Sequence, residues 1–398
     1  MPHGKGLPAW WGPPKKFDTF IEDRRVSWLE LFFDLVYVIA ISRITHQLTA
    51  HISVAGFLEY VCLFFLIFWG WLNGSLYYDL HGNEGLRTRL MTLWQMMIIA
   101  ALAVTLGHLQ GTRYVNTTIV LMIMQLFITY QWWSVGFYDK RHRYYSRPYI
   151  ILFLVSLALM GLSLVMSQQW LKMIVPLVLL CNYSPPFIAG KLLRRSAIGL
   201  NLSSSMYERL GLFTIIIFGE VVSGVVNGIS SVTATDMISW LNFALAVVIV
   251  FALWWVFFTL TANRQAKKGF VNATLLELVY IPALISLGLT AACFNLLFEA
   301  NEEAHSLPAF FGYALAAYFA SISIMMGLIE YPAIVNKIMG RVRISLYATA
   351  LVFFVFTLIN ARLDILYYLL VVIAVIIIEI LYLNSLYYSL PVEKKAEH

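Results

Sequence analysis

Charge is what this sequence has least of. Asp, Glu, Lys and Arg make up 12% of the 398 residues, against 61% apolar, and mean hydropathy is +0.78. A water-soluble domain carries about 25% charged residues, so a soluble globular fold is excluded and the bilayer is the solvent. Cysteine is nearly absent too. Cys62, Cys181 and Cys293 lie far apart inside apolar stretches, which excludes a disulfide framework and a paired-cysteine metal site and leaves packing as their role. There is no Gly-rich phosphate loop, no His-Glu-x-x-His pair, no nucleophile elbow and no polar stretch long enough to fold as a nucleotide-binding domain. These absences argue against ATP-driven transport by this chain and make an enzyme the weaker reading. No cofactor or metal is called for. The net charge of +6 does not mark a nucleic-acid partner, because the basic residues sit in short segments beside apolar runs, where membrane topology explains them.

What is present is a series of apolar windows. A hydrocarbon core of about 30 Å takes roughly 20 helical residues. Windows of that length fall at 28–50, 54–78, 90–110, 116–138, 148–168, 170–190, 206–227, 238–262, 274–298, 307–330, 342–361 and 363–388. The expected fold is therefore all-α and polytopic, with about twelve transmembrane helices.

Loop charge tests the count independently, since basic residues collect on the cytoplasmic side. If every span is real, 22 Lys and Arg fall on one side, from Lys5 through Arg87, Lys140, Arg194, Lys267 and Arg343 to Lys395, and only Arg113, Lys172 and Arg362 on the other. Both termini are then cytoplasmic in a multi-pass protein of the cell membrane. The first 25 residues, with Trp10, Pro13 and Pro14, do not read as a removable signal peptide.

The spans divide into two sets of six. Glu30 to Ser42 in span 1 resembles Glu208 to Ser223 in span 7, and Phe68, Trp69 and Trp71 in span 2 match Leu253, Trp254 and Trp255 in span 8. An even number of spans per half makes these parallel repeats. The expected organisation is a cytoplasmic arm over 1–27, a first six-helix repeat over 28–195, a second over 196–390 and a tail over 391–398.

Charges at membrane depth are the default functional candidates because they are costly there. In span 1, Glu30 and Asp34 are one helical turn apart, with Tyr37, Ile41 and Thr45 continuing the face. Arg43 lies half a turn away and cannot pair with Asp34 on that helix, and His46 follows near the outer end. Span 7 holds Arg209 and Glu220, eleven residues or about 16 Å apart on one face, with Phe213 and Ile216 between them and Gly211, Gly219 and Gly224 permitting close helix approach. His51 and His108 read as interfacial. Span 2 adds a polar and aromatic stripe of Trp69, Asn73 and Tyr77, which has to be buried against protein. In span 6, Asn182 to Pro186 interrupts the helix. Trp132 and Trp133 read as interfacial aromatics.

Two motifs carry a family resemblance. Glu30-Leu31-Phe32-Phe33-Asp34-Leu35-Val36-Tyr37, followed by Thr45-His46 and Leu48, resembles the opening signature of the bacterial low temperature requirement A (LtrA) proteins. Ser205 to Glu220, with Glu208-Arg209, Gly211-Leu212-Phe213 and Gly219-Glu220, resembles that family's second signature. The resemblance implies a link to growth in the cold but no settled activity. A fainter likeness is to the two-repeat endolysosomal potassium channels, whose first helix in each repeat carries Arg-x-x-x-Phe-Ser-Asp. Arg209 and Phe213 match its first elements and Phe32 and Asp34 its last, while Trp28, Thr214 and Ile215 depart from it. That likeness implies a pathway lined by spans 1 and 7, and a homodimer setting four such helices around one axis.

The leading expectation is a channel- or transporter-like protein for an ion, a proton or a small solute. Asp34 and Glu220 are polar elements at depth, Arg209 an inner charge, and Ile39, Ile41, Phe213 and Ile216 constriction candidates, since apolar rings gate by dewetting. The alternatives are a membrane-embedded enzyme handling a lipid or quinone around Glu30, Asp34 and His46, and a non-catalytic sensor of cold membranes.

Overall fold

The computed structural model describes residues 26–50, 52–82, 85–106, 112–138, 143–193, 202–231, 236–298, 307–359 and 363–390. The amino-terminal arm, the carboxy-terminal tail, His51 and His108 lie outside them. The described chain is almost entirely helical: α1 (Trp28–Ala50), α2 (Val54–His81), α3 (Leu86–Thr105), α4 (Thr112–Tyr138), α5 (Arg143–Ser163), α6 (Gln168–Tyr183), α7 (Pro185–Leu193), α8 (Ser204–Ser230), α9 (Met237–Thr261), α10 (Phe270–Leu297), α11 (Leu307–Met326), α12 (Ala333–Ile359) and α13 (Ile365–Tyr388). Among the described residues, eleven helical stretches are long and apolar enough to cross a membrane, α6 and α7 together forming one of them. α1 is long enough at 23 residues but carries Glu30, Asp34 and Arg43. The protein is an all-α polytopic membrane protein.

The sequence places the helix ends. α1 starts on a capping box: the Ser27 N–H and hydroxyl each donate to Glu30 Oε2 at 2.9 Å, and the Glu30 N–H donates back to Ser27 Oγ at 3.3 Å. Ser203 Oγ accepts from the Met206 N–H at the start of α8, and Asp236 Oδ1 accepts from the Ser239 N–H at the start of α9. α6 stops at Tyr183, and Pro185 opens α7, where its missing N–H costs nothing. Hydroxyls inside the helices bond back to carbonyls one turn earlier, as Thr92 does to Thr88 and Thr214 to Leu210, which satisfies them in a medium without water. One feature departs from the all-helical expectation. β1 (Gln265–Ala266) and β2 (Ile329–Glu330) pair antiparallel, and two residues are too few to show a strand's alternation.

The chain forms two compact units. The first comprises 1–44, 61–209 and 269–271, the second 45–60, 210–268 and 272–398. In the first, α5 packs on α4, α6 and α7, around a small core of Leu66, Met160, Ile174 and Val178. In the second, α11 packs on α12, and α13 on α9 and α12. α8 meets α10 there with its backbone. A Cβ added at Gly224 or Gly228 would strike the carbonyl oxygen of Ala291 or Phe294, the close approach that a Gly-x-x-x-Gly spacing permits. Gly219, expected to act similarly, has nothing within 4 Å of its would-be Cβ, and Gly211 has only the Phe258 ring at 3.9 Å.

Candidate functional site

The first unit encloses a charged cluster built from both signature segments. Glu30 is positioned by its own helix cap, and its second oxygen lies 3.4 Å from Arg209 Nη1. One turn further along α1, Asp34 receives Arg209 through both oxygens, Oδ1 from Nη2 at 2.5 Å and Oδ2 from Nε at 3.3 Å. The Trp71 indole N–H donates to Oδ1 at 2.7 Å. Glu30, Asp34 and Arg209 are each at most 1% exposed. The Arg209 guanidinium also lies 5.5 Å from the Phe33 ring and 5.7 Å from that of Trp71. A planar guanidinium both bonds carboxylates in its plane and packs on rings, which a lysine cannot do.

A second layer fixes α1 one turn deeper. The Gln95 side-chain amide donates to the Tyr37 hydroxyl at 2.8 Å and to the Gly70 carbonyl at 2.9 Å, and the Tyr37 hydroxyl points at Met124 Sδ, 3.6 Å away. Gly74 leaves room for Gln95, whose amide overlaps the place a Cβ would take. Between cluster and layer lies a cleft lined by Glu30, Arg209, Tyr77, Thr88, Thr92 and Gln95 among others, with about 10 Å³ of water-sized free space, room for roughly one water.

Trp69, Asn73 and Tyr77 are buried. Asn73 Oδ1 accepts from the Trp132 indole at 3.1 Å, and Trp132 stacks on Tyr149 with centroids 4.2 Å apart. Trp132 is therefore fully buried against protein, whereas its neighbour Trp133 is 49% exposed. Adjacent residues lie about 100° apart around a helix, so depth alone does not distinguish them.

The other candidates lie elsewhere. In the second unit, Glu220 sits 3.8 Å from His46 Nε2, with His46 half exposed. Arg43 is exposed. Ile39 is 52% exposed, Ile41 and Phe213 are fully buried, and Ile216 is half-buried. Among the described residues, no group of three or more His, Cys, Asp or Glu is placed to hold a metal ion.

Sequence reasoning missed the pairing of Arg209 with Asp34 and Glu30, having looked for each partner along one helix. A usable signal was there: Asp34 stands six residues into α1 and Arg209 five into α8, opposite charges at one depth in the two helices that carry the motifs. Arg87 was missed as well. It is 4% exposed, donates to Ser134 Oγ at 3.1 Å and lies 5.4 Å from the Tyr138 ring, while its Nε and Nη1 have no hydrogen-bond partner among the described residues.

Membrane-crossing helices enclosing an ion cluster define an integral membrane protein with a charged interior. The model of the bacterial low temperature requirement A protein (LtrA) family matches residues 25–378, which include both signature segments, and the chain belongs to that family. No curated protein matches the sequence.

Proposed function

We propose that this protein is a channel- or transporter-like component of the cell membrane, with both termini in the cytoplasm, that moves an ion or a proton along a pathway near α1 and α8. The observation that carries the reading is the Glu30–Asp34–Arg209 cluster. Three ionisable side chains are at most 1% exposed, two of them, Glu30 and Arg209, line a small cleft together with Thr88, Thr92 and Gln95, and ionisable groups inside membrane helices mark ion and proton routes. A homodimer placing the α1 and α8 helices of two copies around one axis belongs to the same proposal, as does a role in growth at low temperature.

Purified protein in liposomes tests it. Flux of protons, alkali cations or anions is expected, altered several-fold by Asp34→Asn, with Glu220→Gln reporting on the His46 end. Absence of flux across all these ions and a range of pH overturns the reading. A deletion strain that grows normally in the cold would remove the physiological part alone.

A further inference from the structure

The second unit buries a carboxyl that the proposed pathway does not use. Glu379 stands about 21 Å from the start of α13 and about 14 Å from its end at 1.5 Å per residue, and is 4% exposed. Its Oε2 accepts from the Thr349 hydroxyl at 2.9 Å, and its Oε1 lies 2.8 Å from the Ser345 hydroxyl. Both partners are on α12, one turn apart on one face.

Among the described residues, no charged group contacts it. α9, which also packs on α13, carries no titratable residue. α13 carries only tyrosines besides Glu379, and α11 only Tyr313 and Tyr318. α12 carries Lys337, Arg341, Arg343 and Tyr347, but Arg343 is turned to the Ser323 carbonyl at 3.0 Å. The groups acting on Glu379 are the Ser345 and Thr349 hydroxyls. An ionised carboxyl without a counter-charge is costly at this depth.

The Ser345 hydroxyl gives the cluster two settings. Its oxygen is 2.8 Å from Glu379 Oε1 and 2.9 Å from the Val342 carbonyl oxygen, and a hydroxyl has one hydrogen to donate. With Glu379 ionised, that hydrogen points at Oε1. With a proton on Oε1, the acid donates to Ser345 Oγ, and the Ser345 hydrogen turns to Val342. Thr349 donates to Oε2 in both settings. No heavy atom moves, no polar group loses its partner, and the only change in composition is one proton. Ser345 itself is partly exposed.

We propose that Glu379 is a proton-binding site at mid-depth in the second unit, its two protonation states both served by rotation of the Ser345 hydroxyl. The proposal rests on the α12–α13 geometry alone and is independent of whether an ion passes near α1 and α8.

Infrared difference spectroscopy of the full-length protein in lipid, titrated between about pH 5 and pH 9, tests it without requiring a reagent to reach the site. A protonated-carboxyl C=O band that titrates in this range and is lost in Glu379→Gln is expected. In Thr349→Val, which keeps side-chain shape but removes one donor to the carboxylate, the midpoint should rise by about one pH unit. Dicyclohexylcarbodiimide, which adds a protonated carboxyl across its C=N bond, should label Glu379 less as pH rises. The proposal is overturned if no titrating band depends on Glu379, or if Thr349→Val leaves the midpoint unmoved. Loss of the band on adding sodium at fixed pH would overturn it in favour of a metal cation.

Discussion

Arg209→Gln is the perturbation that most directly tests the cluster in the first unit. Two carboxyls that are 1% and 0% exposed would lose the guanidinium that contacts both, while Ser27 still caps Glu30 and Trp71 still donates to Asp34. Removing one member of a buried ion pair costs about 3–5 kcal/mol, because the remaining charge is left uncompensated. Adding Asp34→Asn to Arg209→Gln removes one of the two stranded carboxyls, the one with the closer contact to Arg209, and the new amide still offers an oxygen to the Trp71 indole. The double variant should recover much of the loss, with a coupling energy of about 2 kcal/mol or more. Reversible unfolding in mixed micelles, followed by tryptophan fluorescence, gives the four stabilities, and Trp71 is a reporter inside the cluster. Arg209→Lys keeps the charge but neither the two-oxygen grip on Asp34 nor the ring contacts, and should fall between wild type and Arg209→Gln. If Arg209→Gln costs under about 1 kcal/mol and its effect adds to that of Asp34→Asn, the cluster is not an energetically coupled unit and the argument from it fails.

Other positions give separate tests. Gly224→Ala and Gly228→Ala should each destabilise by roughly 1–3 kcal/mol or more, since the new methyl meets backbone, whereas Gly219→Ala meets nothing and should stabilise by about 0.5–1 kcal/mol; thermal melts of the three variants decide it. Trp132→Phe should cost about 1–3 kcal/mol by leaving the buried Asn73 oxygen unpaired, and Trp133→Phe far less in the same assay. Asp236, outside the spans, is held below the usual aspartate range by its side-chain and backbone bonds to Ser239. Its folded-state pKa is depressed, so its contribution is present above the unfolded aspartate value and is lost as pH falls through the folded one. Hydrogen exchange at the start of α9 should accelerate in Asp236→Ala at neutral pH, and the variant and wild type should converge in acid.

Most of the helical layout was legible because two independent signals agree on it. Apolar length sets where a span fits, and the alternation of Lys and Arg tests how many there are; the break after Tyr183 was announced by Ser184-Pro185-Pro186. Neither signal carries azimuth. That is why Trp132 and Trp133 read alike in the sequence and differ completely in the structure, and why Gly219 and Gly224 looked interchangeable. It is also why Asp34 had no visible partner: Arg209 is 175 residues away, and only depth counted in both helices together connects them.

Glu379 makes the same point from the opposite side. In sequence it is one carboxylate in an aliphatic run, Val371 to Ile380, easily passed over as a helix that tolerates a charge. Its partners, Ser345 and Thr349, are spaced by one turn on another helix and are unremarkable individually, because serine and threonine in membrane helices commonly bond their own backbone. Ser345 does so here as well, to Val342, and that second acceptor is what gives the hydroxyl a choice. The two buried clusters thus resolve the same cost by different chemistry. Arg209 answers the carboxyls with a fixed opposite charge, which makes removal of the arginine destructive. Glu379 is answered by hydroxyls that serve either protonation state, so Glu379→Gln should preserve the fold while abolishing the titration, an outcome that neutralising one side of the Arg209 cluster cannot produce.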